Sequence, residues 1–385
     1  MISGEERPNL FHEMMGRSMA LQAEIDSARA DIRTDGYPVS IGEWISIYEK
    51  GELDIHPEFQ RFFRWSETQK SRLIESILLG IPIPPIFVAQ RQDGVWDVVD
   101  GLQRLSTILQ FIGVLKDEGG NKVAPLQLQK TKYLPSLENV VWEDDSADVA
   151  QFSPAQRLLL KRAKIDASII LKESDSKAKY ELFQRLNTGG SALSDQEVRN
   201  SILVMLNRDF YTWLKELSQV PEFKDCVALT DRAVEEQFDL ELVLRFVVFR
   251  EMSGEELSKI GDMGEFLTEK AIELAQEASF DKATETTAFV ETFKTLQATL
   301  GSDSFKRFDA QKNKFLGGFS VSAYEAVAFG LAYHWKSLAA IAPSIVDRVK
   351  SLWQAPEFID NSGSGIRASS RVPRTIPFAR DLFAA

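Results

Sequence analysis

The sequence predicts an α+β protein in two parts: a mixed α/β N-terminal domain over about residues 36–200, followed by an all-α domain over 201–360. Three observations carry that reading. Between residues 66 and 112 the hydrophobic period switches from helical to alternating and back again. From about residue 201, Phe, Leu and Val recur at three- and four-residue intervals (Leu240, Val243, Leu244, Val247, Val248) and strand signals largely vanish. A composition of 44% hydrophobic and 26% charged residues over 385 positions is that of a folded globular chain, which excludes wholesale disorder.

Residues 1–35 read as an N-terminal helical arm packed on the body or on a partner. Ser40-Ile41-Gly42-Glu43 has the capping-box pattern and opens a short helix over Trp44, Ile45, Ile47 and Tyr48 that Gly51 ends. Ser66-Glu67-Thr68-Gln69 is a second box, followed by Leu73, Ile74, Ile77 and Leu78 at helical spacing, with Gly80 and Pro82 as stop signals. Pro84-Pro85 leads into a strand at Ile86–Val88, Asp93-Gly94 marks a hairpin, and Val95–Val99 alternates as the returning strand. A sharp turn at Asp100-Gly101 is followed at once by a helix marked by Leu105, Ile108, Leu109 and Ile112. Residues 116–160 read as an irregular insertion with an acidic cluster at Glu143-Asp144-Asp145. Ile165–Leu171 is a further strand of the same sheet, Lys177–Leu186 a helix, Asn187–Gly190 a polar loop, and Ser194-Asp195-Gln196-Glu197 a third box. The tail, 361–385, carries Arg367, Arg371, Arg374 and Arg380 with no acidic residue from 361 to 380, and its Gly, Ser and Pro content predicts an extended segment.

Charge and composition exclude several functions. Lys and Arg number 45 against 57 Asp and Glu, a net charge of −12, which argues against non-specific nucleic-acid binding over the whole surface. One cysteine (Cys226) and three scattered histidines (His12, His56, His334) build neither a zinc ribbon nor a His-based metal site; zinc, haem and iron–sulfur clusters are not expected. The N-terminus lacks a signal-peptide pattern, and the most apolar stretches, Leu242–Phe249 and Val321–Tyr333, are short and carry Arg245 and Glu325. The expectation is a cytoplasmic protein without a membrane partner.

Three constellations could carry chemistry. In Asp100-Gly101-Leu102-Gln103-Arg104, the helix start offers backbone N–H groups and a positive dipole end to an anion. Gly101 allows close approach, Arg104 can fork onto phosphate oxygens, and Asp100 could hold a divalent cation. The plain alternative is a glycine turn with Asp100 as helix cap and Arg104 on the surface. Phe59-Gln60-Arg61-Phe62-Phe63-Arg64-Trp65 places two arginines among aromatics, suited to phosphate and base stacking or, alternatively, to core packing with solvated arginines. Phe183-Gln184-Arg185-Leu186-Asn187-Thr188-Gly189-Gly190 is a helix end and loop that could wrap a ligand or simply cap the helix.

Gln60-Arg61-x-x-Arg64-Trp65, then Leu73–Pro85, then Asp100-Gly101-x-Gln103-Arg104-Leu105-Ser106-Thr107-Ile108, then Phe183-x-Arg185-Leu186-Asn187-Thr188-Gly189-Gly190, in that order, closely resembles the GmrSD-type N-terminal domain family. The resemblance spans about residues 36–200. It implies a ParB/sulfiredoxin-like α/β fold with a nucleotide pocket, a D-G-Q-Q-R motif linked to NTP binding and hydrolysis, and service in bacterial defence against phage and modified DNA. Carried over, Asp100, Gln103 and Arg104 are the candidate catalytic residues, and Gly101 and Arg104 would line the phosphate site. Arg61, Arg64, Arg185 and Asn187 would complete it, with Mg²⁺ on Asp100. This chain departs from the motif at Leu102, which puts hydrolysis in more doubt than binding. It also offers only His334 towards a His-Asn-His nuclease, so nuclease activity of this chain alone is not expected.

The expectation is therefore a nucleotide-binding, NTPase-like sensor or regulatory protein of a defence system. It would use an NTP with Mg²⁺ and act on DNA itself or through a separate nuclease or other subunit, with the arginines at 367, 371, 374 and 380 facing DNA or that partner. Oligomerisation is left open. The rivals are a DNA-binding module without nucleotide turnover and a structural subunit with a degenerate pocket.

Overall fold

The computed structural model describes residues 20–22, 24, 33–55, 65–174 and 194–384, apart from 118, 147 and 364. The chain divides into two compact units, residues 1–192 and 193–385. The architecture is α+β, with a mixed sheet in the first unit and mostly helices in the second.

The first unit contains β1 (Thr34–Ser40), α1 (Ile41–Glu49), β2 (Leu53–Asp54), α2 (Glu67–Leu78), β3 (Ile86–Gln90), β4 (Trp96–Asp100), α3 (Leu102–Ile112), α4 (Pro154–Arg162) and β5 (Lys164–Ile170). The strands form one sheet in the order β1-β5-β3-β4-β2. β5 runs antiparallel to β1 and parallel to β3, β3 and β4 form the hairpin, and β2 lies parallel to β4. Alternation on β5 turns Ile165, Ala167 and Ile169 into the core, where Ile86 and Val88 of β3 and Leu105, Ile108 and Leu109 of α3 join them. Trp44 is fully buried and donates its indole N–H to Ile165 O at 3.3 Å. Tyr37 of β1 and Trp96 of β4 meet edge to face with centroids 6.3 Å apart, although β5 and β3 stand between their strands, so the sheet is strongly curled.

The serine caps do what their sequences specify. Ser66 and Gln69, Ser153 and Gln156, and Ser194 and Glu197 each exchange both bonds of the capping box. At Ser40 only the bond from the Glu43 N–H is made. The insertion after α3 is irregular as far as residue 153, but α4 follows it, so the expected irregular stretch is shorter than 116–160. Its anchor is Glu75, a buried carboxylate of α2 that accepts from the Thr131 hydroxyl, from Tyr133 N at 2.9 Å and from Leu134 N at 3.1 Å. Those three bonds outweigh burial, which alone would raise it, and hold the carboxyl below the usual glutamate range.

β1 was not anticipated: the helical arm expected over 1–35 runs into its first two residues, Thr34 and Asp35, which are strand, and the rest of that arm lies almost wholly outside the described residues. β1 is an edge strand, the place where glycine and proline are tolerated. Gly36 N–H is met by Asp35 Oδ1 at 2.7 Å, and Pro38 has no N–H to offer.

The second unit comprises α5 (Asp195–Leu206), α6 (Arg208–Ser218), α7 (Pro221–Val227), α8 (Asp231–Glu235), α9 (Phe238–Phe249), α10 (Gly254–Leu257), α11 (Met263–Gln276), α12 (Lys282–Thr299), β6 (Arg307–Asp309), β7 (Lys314–Leu316), α13 (Val321–Tyr333), α14 (Leu338–Ile341), α15 (Ile345–Leu352), α16 (Pro356–Ser362) and α17 (Ala368–Leu382). The expected all-α character is corrected by the β6–β7 hairpin, an antiparallel pair too short to register as alternation. The expected extended tail is corrected more sharply. Residues 368–382 are helical despite Pro373 and Pro377, because Val372, Ile376 and Ala379 recur at helical spacing and are buried against α13. Gly330 on α13 makes that contact close: a Cβ there would stand 2.9 Å from Ala379 O.

Candidate functional site

The turn between β4 and α3 is set by Gly101, whose φ of 99° lies in the left-handed region. A Cβ at Gly101 would overlap Ile86 Cδ1, so the room expected for an approaching phosphate on that side is filled by the β3 side chain instead. The helix ladder of α3 starts with Leu105 N to Gly101 O at 2.9 Å, which leaves the N–H groups of Leu102, Gln103 and Arg104 ahead of it. Among the described residues no side chain caps this end, unlike the serine-capped α1, α2, α4 and α5, and no acidic residue sits in its first turn, whereas α1, α2 and α5 each carry one there. The positive end of the helix dipole is therefore not opposed by a carboxylate of the helix itself.

Asp100 and Arg104 come together, but first with each other. Arg104 Nη2 donates to Asp100 Oδ2 at 2.6 Å, and Nη1 donates to Pro84 O at 2.7 Å and Pro85 O at 3.1 Å. The guanidinium is thus not the solvated group of the plain alternative, nor is it idle in packing. It ties the last residue of β4 and the first turn of α3 to the proline segment ahead of β3. Asp100 keeps 42% of its side chain exposed while bonded to Arg104. Asp100 does not serve as the N-cap; Gly101 holds that position. Gln103 is half-buried and its carbonyl accepts from Thr107 Oγ1 at 2.6 Å. Leu102 packs against the core of the sheet, a contact a polar residue would not make as well.

Arg61, Arg64, Arg185 and Asn187 lie outside the described residues. Among the described residues no three His, Cys, Asp or Glu side chains cluster as metal ligands. Asp100 fits Mg²⁺ only as one carboxylate beside phosphate oxygens, which is the usual mode for that ion. A cleft of about 400 Å³ lined by Glu67, Gln110, Gln127, Gln129 and Glu138 lies towards the other end of α3, so it does not coincide with the Asp100–Arg104 turn.

The expectation that all four tail arginines face DNA or a partner is corrected. Arg371 donates to Glu325 from Nε at 2.8 Å and Nη2 at 3.1 Å, and Glu325 is fully buried. Arg380 crowns the C-terminal end of α9, donating to Phe249 O at 2.9 Å, Arg250 O at 3.2 Å and Met252 O at 2.7 Å. It lies 4.5 Å from the centre of the Tyr333 ring. Burial lowers its pKa, outweighing the opposing pull of Tyr333 and Glu251. Arg374 reaches Asn361 Oδ1 at 3.1 Å from an exposed position, and Arg367 is exposed. An unbalanced charge count along the chain could not reveal Glu325, forty-six residues before Arg371. His334 is likewise structural, its Nε2 2.9 Å from Arg380 O.

Two further polar assemblies were missed for the same reason. Arg91 bonds Asp97 Oδ2 through Nε at 2.8 Å and Asp54 Oδ2 through Nη2 at 2.6 Å, clamping β2, β4 and the hairpin. Burial alone would lower its pKa, but the bonds to Asp97 and Asp54 prevail and raise it. In the second unit Glu325 also takes Arg245 Nη1 at 2.6 Å. Arg245 takes Glu241 at 2.6 Å, and Glu241 lies 3.7 Å from Arg199, giving a buried chain of alternating charge from α5 through α9 and α13 to α17.

Residues 41–204 match the family model of the GmrSD restriction endonuclease, N-terminal domain. This segment, which holds β2 to β5 and the Asp100–Arg104 turn, is thus similar to a GmrSD-type N-terminal domain, a family whose context is restriction and defence. The curated proteins contain no match to the chain. Among the described residues no helix is long and apolar enough to cross a membrane.

Proposed function

We propose that this chain is a nucleotide-binding regulatory protein of a restriction system, taking NTP phosphates with Mg²⁺ at the turn between β4 and α3. The observation that supports it is the α3 N-terminus, without a side-chain cap and bearing Arg104 on its first turn, inside a domain of the GmrSD type. In this reading the Leu102–Arg104 amides take phosphate oxygens. Arg104 exchanges the Pro84 and Pro85 carbonyls for phosphate, and Asp100, relieved of Arg104, is the residue that would hold Mg²⁺. Bound there, the ion would neutralise phosphate charge. Leu102 leaves no polar side chain at its position to orient a water, so binding is expected to outrun hydrolysis. DNA cleavage belongs to a partner nuclease in this scheme.

A second reading has a specific observation in its favour: Arg104 already has three protein acceptors, as a purely structural clamp would. A thermal-shift series with the four NTPs and Mg²⁺ separates the two. A ligand at 100 times its dissociation constant stabilises by about 2.7 kcal/mol, a shift of several degrees. The binding reading expects that shift in wild type and its loss in Arg104→Ala. The clamp reading expects no shift with any NTP, and a lower melting temperature for Arg104→Ala.

A further inference from the structure

We infer that α4 is a docking helix for an acidic amphipathic helix of a partner protein. The helix reads Pro-Ala-Gln-Arg-Leu-Leu-Leu-Lys-Arg, and of its side chains only Leu160 is buried, against a body that α4 meets through α1 and α2. Leu158 and Leu159 are turned out, 51% and 54% exposed. With Ala155 and Arg162, also exposed, they form an i, i+3, i+4, i+7 stripe, the spacing by which one helix anchors another. From 154 to 164 the chain carries Arg157, Lys161, Arg162 and Lys164 and no acidic residue, in a protein of net charge −12. Arg157 is spent on Glu143 at 2.6 Å, and Lys161 lies 5.8 Å from the Trp142 ring centre. Lys161, Arg162 and Lys164 remain exposed beside the leucines.

Two apolar knobs rimmed by cations are complementary to a helix with apolar knobs rimmed by carboxylates. A second copy meeting α4 to α4 about a two-fold axis would set these same cations against each other, so the partner is a different chain. Phosphate backbones would match the cations but leave both leucines without an apolar partner, which disfavours nucleic acid. The surface does not depend on the nucleotide reading above.

The test uses the full chain and a synthetic amphipathic peptide of about four helical turns, leucines on one face and glutamates along its flanks. Fluorescence anisotropy should show binding to wild type. The Leu158→Glu, Leu159→Glu double variant should bind at least about tenfold more weakly, a difference of about 1.4 kcal/mol. Arg162→Glu should also weaken the glutamate peptide, and should bind better the same peptide with lysine in place of glutamate. Melting temperatures should stay at the wild-type value, because the altered side chains are exposed. Absence of peptide binding, or binding indifferent to these variants, overturns the inference. So does α4-dependent binding of duplex DNA or of phosphatidylglycerol vesicles instead, or an α4-dependent dimer of the chain itself.

Discussion

Gly101 answers two demands at once: a left-handed backbone and a space already filled by Ile86 Cδ1. Gly101→Ala should therefore destabilise the protein by about 2–4 kcal/mol, from strain and overlap together. In an Ile86→Val background, which removes that methyl, the loss should shrink while the strain remains. A double-mutant cycle from urea denaturation measures the difference. Glu75 is a carboxylate whose pKa is held down by three donors, so its stabilising contribution is complete above the ordinary glutamate range and fades as pH falls through its lowered folded value. Glu75→Gln should cost about 1.5–3 kcal/mol at neutral pH, and the gap to wild type should narrow in acid. Asp239 behaves oppositely. Burial raises its pKa against the Leu240 N–H and the Ser218 hydroxyl, and Oδ1 is buried with no partner among the described residues. Its ionisation costs stability as pH rises through that raised value, so Asp239→Asn should gain on wild type as pH climbs above the ordinary aspartate range, read from melting temperatures across a pH series.

Among the elements, those whose signals are local were legible. Ser66-x-x-Gln69 and Ser194-x-x-Glu197 specify their own helix starts, because a capping box is settled within four residues. The turn at Asp100-Gly101 was legible too, as was the helix after it. What lay beyond sequence reading was what these residues touch: Arg104 finds Pro84 and Pro85 twenty residues back, across the hairpin. β1 carried no signal that was read, and an edge position absorbs its Pro38; α17 was misread as extended because glycine, serine and proline were taken as breakers, whereas burial against α13 overrides Pro373 and Pro377. Arg371 makes the cost of that packing testable. Arg371→Ala leaves the fully buried Glu325 with Arg245 alone, and should destabilise by about 3–5 kcal/mol in chemical denaturation. Arg374→Ala, at an exposed site, should stay within about 0.5 kcal/mol.

At the scale of the whole molecule, charge sets the terms for nucleic acid. The net charge is −12, and two of the four arginines thought to reach outwards are committed to Glu325 and to the end of α9. Duplex DNA should accordingly bind the chain alone no tighter than the non-specific range of about 10⁻⁴–10⁻⁶ M at physiological salt, by anisotropy on a labelled duplex. A tighter, tail-dependent complex would return the DNA-module reading to the front. The α+β class was readable because periodicity is a property of long stretches. The pairing of β1 with β5, and the buried chain from Arg199 to Arg371, were not, because the first joins residues more than a hundred positions apart and the second crosses between helices by steps of 42, 80 and 46 positions.

That first pairing has a consequence in time. Thr34 pairs with Ile170, so the ribosome adds 136 further residues (170 − 34) after making one before it has made the other. At the usual pace of synthesis this is roughly 7–27 s during which β1 exists without its neighbour. A naked strand of that kind invites pairing with whatever nascent chain lies nearest. Asp35 satisfying the Gly36 N–H, and a proline with none at 38, leave little for a stranger to grip. The glycine and proline of β1 thus suit a strand that must wait for its own partner.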